Sequence, residues 1–291
     1  MDDYLKSFRE MISLRGLTDH TIRSYSTYIS AYLDYLNTFI HHAPENVSWQ
    51  EMRDFIFWLK QQRNLSDRTL NAVISQLRFF HIYVLHKPWD DSQLPKRRFD
   101  TYLPFVPSRQ EVWDFLSSIS DIRVKTFITL MYSAGLRSGE VRNLKCSDIQ
   151  HSSWRIHIRH SKNRFERYAI LSEVAWATIL EYWYSFPASQ RPKDWLFPQR
   201  RNPDKPMDHQ FIPLEIRKHE KLLGVEHRFT CHSFRHAFGT HLYENGTDLL
   251  TIKALLGHRS LMSTTIYVHL ASNGTMNAVS PLDRLAGEHH A

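Results

Sequence analysis

Six side chains of the sequence have the types that phosphoryl transfer requires. Two guanidinium groups can hold the non-bridging oxygens of one phosphate and stabilise the charge of its pentacoordinate transition state. A tyrosine hydroxyl can attack the phosphorus and form a covalent ester, while a lysine or a histidine transfers protons. The set predicts phosphoryl-transfer chemistry, and its members are Arg137, Lys162, His232, Arg235, His258 and Tyr267.

The local patterns around these residues favour a shared site. Arg137 follows Gly135, where a helix is predicted to end, and Glu140 stands three residues further on. His232 and Arg235 are three residues apart, so both face the same side of a predicted helix. The segments that carry the six residues are 134–141, 161–163, 231–236 and 255–267.

Each of these residues taken alone has an ordinary explanation. Tyr267 is one of 13 tyrosines, and Lys162 has the sequence context of a solvated turn residue. Arg137 would suit the C-terminal end of a helix, where a cation interacts with the helix dipole. A zinc site at Cys231 and His236 is not predicted, because the chain has two cysteines and no Cys-x-x-Cys pair. The six positions together, in order and at these spacings, favour the catalytic interpretation.

The elements that must position these residues are mostly helices. The first hundred residues predict a small bundle: residues 22–36 and 70–80 carry apolar side chains at steps of three or four, the spacing of one helical face. Ser48 and Glu51 form a capping box at the start of another helix. The next stretch is rich in proline and charge, and we interpret it as a linker.

A second capping box, Ser108 with Glu111, opens a new helical region. The hydrophobic period changes to two around Ile156 and Tyr168, which indicates a small antiparallel sheet. Further helical patterns lie at 122–134, 172–185 and 232–243. The sequence therefore predicts a mainly α fold with an N-terminal helical domain at 1–87, a linker at 88–107 and a catalytic domain with a C-terminal tail at 108–291.

Length and composition agree with this division. A chain of 291 residues suggests two domains, and a hydrophobic content of 42% excludes wholesale disorder. No stretch approaches the ~18 apolar residues of a membrane span, and the acidic start does not resemble a secretory signal. The two cysteines are typical of a reducing compartment. We therefore expect a cytoplasmic protein that does not enter the membrane.

The charge is distributed unevenly along the chain. The net charge is +7, yet residues 1–104 contain 13 basic and 12 acidic side chains, whereas residues 105–291 contain 24 and 18. A basic excess favours a polyanionic partner through counterion release. An ordinary basic surface explains the charge alone equally well.

These motifs resemble those of the tyrosine site-specific recombinases, the phage integrase family that includes Xer-like and Cre-like enzymes. Residues 134–140, Ala-Gly-Leu-Arg-Ser-Gly-Glu, match the family's first arginine box. His-Ser-Phe-Arg-His at 232–236 matches its His-x-x-Arg box, and Leu-Leu-Gly-His at 255–258 precedes Tyr267 by nine residues. The resemblance covers nearly the whole chain. It implies a SAM-like core-binding domain followed by a mostly helical catalytic domain with a small antiparallel sheet.

The resemblance extends to a hairpin. Residues 161–171, Ser-Lys-Asn-Arg-Phe-Glu-Arg-Tyr-Ala-Ile-Leu, look like the family's β-hairpin and give Lys162 as its lysine. The family usually has glycine on both sides of this lysine, and here Ser161 and Asn163 replace them. Asparagine tolerates turn geometry, so the assignment of the lysine is retained.

The resemblance implies a mechanism and a role for each residue. Tyr267 attacks a backbone phosphate of double-stranded DNA and forms a 3′-phosphotyrosyl bond with release of a 5′-hydroxyl. Arg137 and Arg235, with His232 and His258, stabilise the phosphate, and His232 also accepts the tyrosine proton. Lys162 protonates the leaving oxygen, and Glu140 supports the site. The phosphotyrosyl bond conserves the energy of the broken bond, so the resemblance implies neither a cofactor, ATP nor a metal ion.

The resemblance also implies partners. Two strand exchanges through a Holliday junction require a homotetramer on two DNA sites, formed from monomers or dimers, with accessory proteins compatible with this scheme. In the family, the tail after the tyrosine often packs into a neighbouring protomer. The resemblance also implies a bacterial, phage or mobile-element source. It does not distinguish between integration, excision and resolution of DNA as the role of the protein. Basic residues expected to hold DNA phosphates are Lys96, Arg97 and Arg98 in the linker and Arg159, Arg164 and Arg167 in the hairpin.

Three alternatives to a recombinase remain at this stage. A type IB topoisomerase shares the tyrosine chemistry, and relaxation of plasmid DNA without site preference would favour it. A catalytically silent DNA-binding protein of the same fold would form no covalent adduct. A metal-binding module built on the 18 histidines would bind metal in a direct assay.

Overall fold

The computed structural model describes residues 1–100, 102–159, 166–225 and 228–271. The chain divides into two compact units, Met1–Thr101 and Tyr102–Ala291. The described residues form mostly helices and a three-stranded antiparallel sheet, which confirms the mainly α class. Within these same residues, no helix is both long enough and apolar enough to cross a membrane.

The first unit contains four helices, which confirms the small helical bundle that the sequence predicts. Serine and threonine side chains cap three of them: Thr18 caps the second helix, Ser66 caps the fourth, and Ser48 forms the predicted capping box of the third with Glu51. Apolar faces of all four helices share one core, which includes Phe8, Ile29, Phe55 and Leu77. The helices are α1 (Asp2–Ser13), α2 (Asp19–Tyr35, continued by a π-helical turn at Leu36–Ile40), α3 (Trp49–Arg63) and α4 (Asp67–Tyr83).

The proline-rich segment after α4 packs on the first unit as far as it is described. Leu94 is buried in the core of that unit. Arg53 of α3 donates to the carbonyl oxygen of Gln93 at 2.9 Å. Asn71 of α4 exchanges two hydrogen bonds with the backbone of Arg97, at 2.8 and 2.9 Å. The predicted linker at 88–107 is thus part of the first unit up to residue 100, because side chains of α3 and α4 satisfy its backbone.

The second unit is built around the helix Ile122–Ser133, whose apolar residues are buried on most sides. It packs against the helices Glu173–Tyr184 and Cys231–Glu244, and the predicted capping box of Ser108 with Glu111 is present. The sequence did not predict the helix Phe211–Leu223, whose buried face includes the polar residues His219 and Glu220. The helices are α5 (Arg109–Ser117), α6 (Ile122–Ser133), α7 (Ser138–Arg142), α8 (Glu173–Tyr184), α9 (Phe211–Leu223), α10 (Cys231–Glu244), α11 (Leu249–Leu256) and α12 (Ile266–Leu270).

The sheet consists of β1 (Ile149–Gln150), β2 (Arg155–Ile158) and β3 (Arg167–Ile170), in that order and antiparallel. Ile156 lies opposite Ala169 and Ile158 lies opposite Arg167. Directly opposite residues share a face of the sheet, and Ile156, Ile158 and Ala169 are all buried. In β3 the two residues with large apolar side chains therefore face outward, and Arg167 faces the core. The predicted hairpin tip lies outside the described residues.

Candidate active site

The structure brings five of the six predicted catalytic residues into one region of the second unit, and Lys162 lies outside the described residues. Arg137 and Arg235 both approach the Glu140 carboxylate. The rings of His258 and Tyr267 lie nearly parallel, with centroids 6.2 Å apart. His232 is the second residue of α10, the helix that carries Arg235. Residues from distant parts of the chain thus converge, as the motif pattern predicts.

Arg137 is fixed by the turn between α6 and α7. Gly135 in this turn has a φ of +62°, and a Cβ at this position would lie 2.3 Å from Phe238, so only glycine fits. Arg137 is the N-cap of α7; its backbone N–H donates to Glu140 Oε2 at 2.9 Å and its Nη1 donates to Oε1 at 2.8 Å. The same carboxylate holds the backbone and the side chain, while the guanidinium keeps 19% of its side-chain surface exposed.

Glu140 is the centre of the charge network. It is 4% exposed and accepts two hydrogen bonds from Arg167, at 2.8 and 2.9 Å, in addition to those from Arg137. Burial by itself raises the pKa of Glu140, but the hydrogen bonds and charge of Arg167, with Arg137 and Arg235, outweigh it and lower the pKa to about 2. The carboxylate therefore stays ionised at neutral pH and orients the cations around it.

Arg235 is held from two sides by backbone carbonyls. Its Nη1 donates to Gly135 O at 2.5 Å and its Nη2 donates to Leu256 O at 2.6 Å. Burial, together with the nearby Arg137, lowers the pKa of Arg235 to about 10, so the guanidinium remains protonated at neutral pH. The two arginines thus place two fixed positive charges beside the Glu140 carboxylate.

His258 follows the turn that ends α11. Gly257 terminates that helix in the left-handed conformation, and His258 Nδ1 lies 3.0 Å from Thr264 Oγ1. Burial, together with the neighbouring Arg235 and Arg137, lowers the pKa of His258 to about 4. The imidazole is therefore neutral at physiological pH, which suits a hydrogen-bonding role toward phosphate rather than that of a cation.

Tyr267 lies on the short helix α12 and is 1% exposed. Its ring lies over Gly239 of α10, where an added Cβ would be 2.5 Å from the tyrosine Cζ. Burial raises the pKa of Tyr267, although Arg235 and Arg137 act in the opposite direction. The structure thus places the predicted nucleophile near Arg137 and Arg235, but buried from solvent.

His236 is a residue of this region to which the sequence assigned no catalytic role. Its ring centroid is 6.2 Å from that of Tyr267 and 6.3 Å from that of His232. Its Nδ1 is buried without a hydrogen-bond partner among the described residues, and burial lowers the pKa of His236 to about 4. The sequence signal was present, since this histidine directly follows Arg235.

The stability of the fold is expected to depend on pH through these two histidines. The pKa values of His236 and His258 are lowered from 6.5 to about 4, so the unfolded chain binds more protons between these values. The free energy of unfolding should therefore fall as the pH drops from about 6.5 to about 4. Urea unfolding at several pH values gives the free energy of unfolding as a function of pH. This free energy should change less with pH in His236→Asn than in the exposed control His20→Asn. Equal changes with pH in both variants would contradict this.

The predicted DNA-binding residues differ in their surroundings. Lys96 and Arg98 are exposed on the first unit, whereas Arg97 forms an ion pair with Asp67. Arg159 forms an ion pair with Asp148, keeps 43% of its side-chain surface exposed and stays a predicted DNA contact. Arg164 lies outside the described residues. Arg167 departs from the prediction: its side chain is 8% exposed, because it faces the core side of β3.

A basic cavity adjoins His258. It has a volume of about 690 Å³ and is lined partly by Arg167, Lys253, Gly257 and Arg259. Among the described residues, no group of three or more histidine, cysteine, aspartate or glutamate side chains is placed to hold a metal ion. The cavity therefore presents Lys253, Arg259 and His258 to a ligand, with Glu166 also in its lining.

Comparison with known proteins places this arrangement in a family. Residues 109–273 match the model described as "Phage integrase family", and residues 4–91 match "Phage integrase, N-terminal SAM-like domain". The protein named integrase/recombinase y4qK from Sinorhizobium fredii is 32% identical over 273 residues, which cover 92% of this chain and 87% of that protein. Tyrosine recombinase XerA of Pyrococcus horikoshii is 28% identical, over 95% and 92% of the two chains.

Solved structures share the fold. A lambda integrase dimer bound to a COC′ core site superposes with a TM-score of 0.72 at 16% identity, over 96% of this chain and 98% of that one. The XerH site-specific recombinase bound to palindromic difH substrate gives a TM-score of 0.71 at 20% identity, over 92% and 82%. The family models together span most of the sequence, and the predicted motifs lie within them. The chain therefore belongs to the phage integrase family of tyrosine recombinases.

Proposed function

We propose that this protein is a site-specific DNA recombinase that cleaves and rejoins double-stranded DNA through a covalent bond to Tyr267. The observation that carries the proposal is the arrangement around Glu140. Arg137 and Arg235 come from separate segments and converge on its carboxylate, with the Tyr267 and His258 rings stacked nearby. Two guanidinium groups beside a tyrosine provide a phosphate site and a nucleophile together.

The proposed reaction consists of strand cleavage and rejoining, with the following bond changes and proton transfers. The Tyr267 oxygen attacks the phosphorus, and the bond from phosphorus to the 5′ oxygen breaks. His232 accepts the phenolic proton, and Lys162 donates a proton to the departing 5′ oxygen. Arg137 and Arg235 stabilise the non-bridging oxygens in the transition state. The 5′-hydroxyl of another strand then attacks the phosphotyrosine in reverse, which restores the tyrosine and joins the new strands.

Tyr267 must become accessible before it can react. Tyr267 is 1% exposed and Arg235 is 4% exposed, so both side chains must be uncovered before they can reach a DNA phosphate. The helix that carries the tyrosine, α12, contains only five residues, so a small rearrangement of this segment suffices to uncover the ring. We propose that DNA binding favours the uncovered arrangement, since the phosphate adds contacts that only the exposed tyrosine makes.

We propose double-stranded DNA as the partner, bound by four copies of the chain across two recombination sites in the cytoplasm. The basic cavity beside His258 and the exposed Lys96, Arg98 and Arg159 support phosphate contacts. Related proteins in solved structures are bound to DNA, among them XerH on its difH substrate and a lambda integrase dimer on a core site.

The experiment that tests the function traps its covalent intermediate and finds the DNA site together. The purified full chain is incubated with fragmented genomic DNA from its host, reactions are stopped with SDS, and DNA that remains bound to protein is sequenced. We expect recovered ends to share one sequence, with the protein on the 3′ end and a 5′-hydroxyl that polynucleotide kinase can label.

Other outcomes point to other functions. Adducts at scattered positions, together with plasmid relaxation, would favour a topoisomerase. DNA binding without any adduct would indicate a catalytically silent protein. Adduct formation should be unaffected by EDTA, because the proposed chemistry uses only side chains of the chain; strong inhibition would contradict the assigned mechanism.

Replacing Gly239 with alanine is expected to displace the covered tyrosine. The new Cβ would lie 2.5 to 2.8 Å from three atoms of the Tyr267 ring, so the ring must leave its present place. Nitration of Tyr267 by tetranitromethane, followed by mass spectrometry of its peptide, should increase several-fold. Gly139→Ala is the matched control, because a Cβ at Gly139 meets nothing within 4 Å. Equal nitration of both variants would show that Gly239 does not set the position of the ring.

A further inference from the structure

Arg167 begins β3, and the register of the sheet turns it inward. It lies opposite Ile158 of β2, which is 2% exposed. The Arg167 side chain is 8% exposed. Its Nε, Nη1 and Nη2 all donate to protein oxygens, those of Leu255 and the Glu140 carboxylate, so the side chain is directed at the protein and the role predicted for it from the sequence needs replacement.

The guanidinium of Arg167 is engaged on both of its edges. Nη1 and Nη2 donate to Glu140 Oε1 and Oε2, at 2.9 and 2.8 Å, as a parallel pair. Nε donates to the carbonyl oxygen of Leu255 at 2.9 Å. A bidentate pair fixes the rotation of a carboxylate as well as its distance. Arg167 therefore joins Glu140 to the end of α11.

The stem of Arg167 also supports the turn that precedes His258. A Cβ on Gly257 would lie 2.8 Å from Arg167 Cδ and 3.1 Å from its Nε, so the turn rests directly on the arginine. The adjacent Leu256 carbonyl accepts from Arg235. Movement of Arg167 would consequently disturb His258 and Arg235 as well as Glu140.

We propose that Arg167 is a positioning residue for strand cleavage, which acts through Glu140 and the Leu255–Gly257 turn and does not contact DNA. It connects three segments: the hairpin strand that follows Lys162 in the chain, the Arg137 turn and the turn before His258. The inference rests on the proposed recombinase function, since it assigns Arg167 a role within that site.

The chemistry of the contact explains why arginine is needed. Lysine keeps the positive charge but has one nitrogen, so it cannot donate to both Glu140 oxygens and to the Leu255 carbonyl in this geometry. Glu140 would then turn toward Arg137 and Arg235, and the two phosphate-binding arginines would shift. A displacement of about 1 Å in a catalytic group costs on the order of 100-fold in rate.

The test measures DNA binding and cleavage separately in full-length variants. A nicked duplex of the site recovered from covalent adducts serves as substrate, and single-turnover adduct formation is followed with saturating protein. Arg167→Lys should cleave on the order of 100-fold more slowly, while its DNA affinity and the salt dependence of that affinity stay as in the wild type. Arg155→Lys is the matched control, because Arg155 is exposed on the neighbouring strand β2 and should cleave at the wild-type rate.

A double-mutant cycle tests the route through Glu140. In a Glu140→Gln background, Arg167→Lys should cost much less than in the wild type, because residues that act as one unit have non-additive effects. Fully additive losses would overturn the proposal. Arg167→Met is a second variant, which removes the charge as well as the hydrogen bonds. If it does not fold, Arg167→Lys is the variant to use, because it retains a charge in the interior.

The outcomes separate this inference from the function it rests on. If the wild-type chain forms no adduct on any DNA, the recombinase function itself fails. If the wild type cleaves and Arg167→Lys cleaves equally fast, only the positioning role is wrong. If Arg167→Met lowers the slope of log affinity against log salt by about 1 with normal cleavage per bound complex, Arg167 is a phosphate contact and the inference is overturned.

Discussion

Replacing Tyr267 with phenylalanine is expected to abolish the covalent protein–DNA adduct. The change removes only the hydroxyl oxygen, which is the proposed nucleophile. The ring keeps its packing over Gly239 and beside His258, so the fold and DNA binding should persist. Loss of an enzymic nucleophile lowers turnover by on the order of a million-fold, so no adduct should be detectable.

The measurement is an SDS gel of the protein with a nicked DNA substrate, from which the cleaved fragment diffuses and leaves the adduct trapped. Tyr243→Phe is the matched control, because Tyr243 packs against the same apolar cluster as Tyr267 and has no assigned role. An adduct formed by the Tyr267 variant would show that another side chain is the nucleophile.

Replacing Glu140 with alanine is expected to destabilise the second unit and to stop cleavage. Glu140 is the buried anion on which Arg137, Arg167 and Arg235 converge. Its removal leaves buried positive charge unpaired, and breaking a buried ion pair from one side costs about 3–5 kcal/mol. The repulsion between the remaining cations should also displace Arg137 and Arg235, the two arginines proposed to bind the phosphate.

Urea unfolding and single-turnover adduct formation measure the two effects. The exposed Glu181→Ala on α8 is the control and should change the free energy of unfolding by less than about 0.5 kcal/mol. Glu140→Gln keeps the shape of the side chain and isolates the loss of charge, so it provides a cleavage rate if the alanine variant unfolds. Wild-type stability and cleavage in Glu140→Ala would contradict the central place of this carboxylate.

Structural features that depend only on residues close together in the sequence could be predicted without knowledge of the fold. The capping boxes at Ser48 and Ser108 are present where the sequence predicts them, because a cap satisfies backbone groups within one turn. The helical faces of the first unit follow from the spacing of their apolar residues. The catalytic motifs also lie in short segments, so their order and spacing identified the family before any contact was known.

The orientation of β3 could not be predicted from the local sequence pattern. Tyr168 and Ile170 have the large apolar side chains, yet they are 49% and 40% exposed, and Ala169 is buried. Period two fixes which residues share a face but not which face meets the core, and here α11 packs against the side that carries Arg167. The sequence thus predicted a DNA contact for an arginine that the fold encloses.

The sequence by itself determined the helices of the first unit, the capping boxes at Ser48 and Ser108, the family and the candidate residues for binding and attacking a phosphate. Tertiary structure decided how these residues are held. Glu140 and Arg167 are 27 positions apart, and the burial of each depends on the other, because a buried charge is tolerated only when its partner is in place. The burial of Tyr267 likewise depends on distant residues, because its ring packs against Gly239 on α10 and His258 after α11. Such long-range pairings leave no periodic signal in the chain, so only the folded structure shows them.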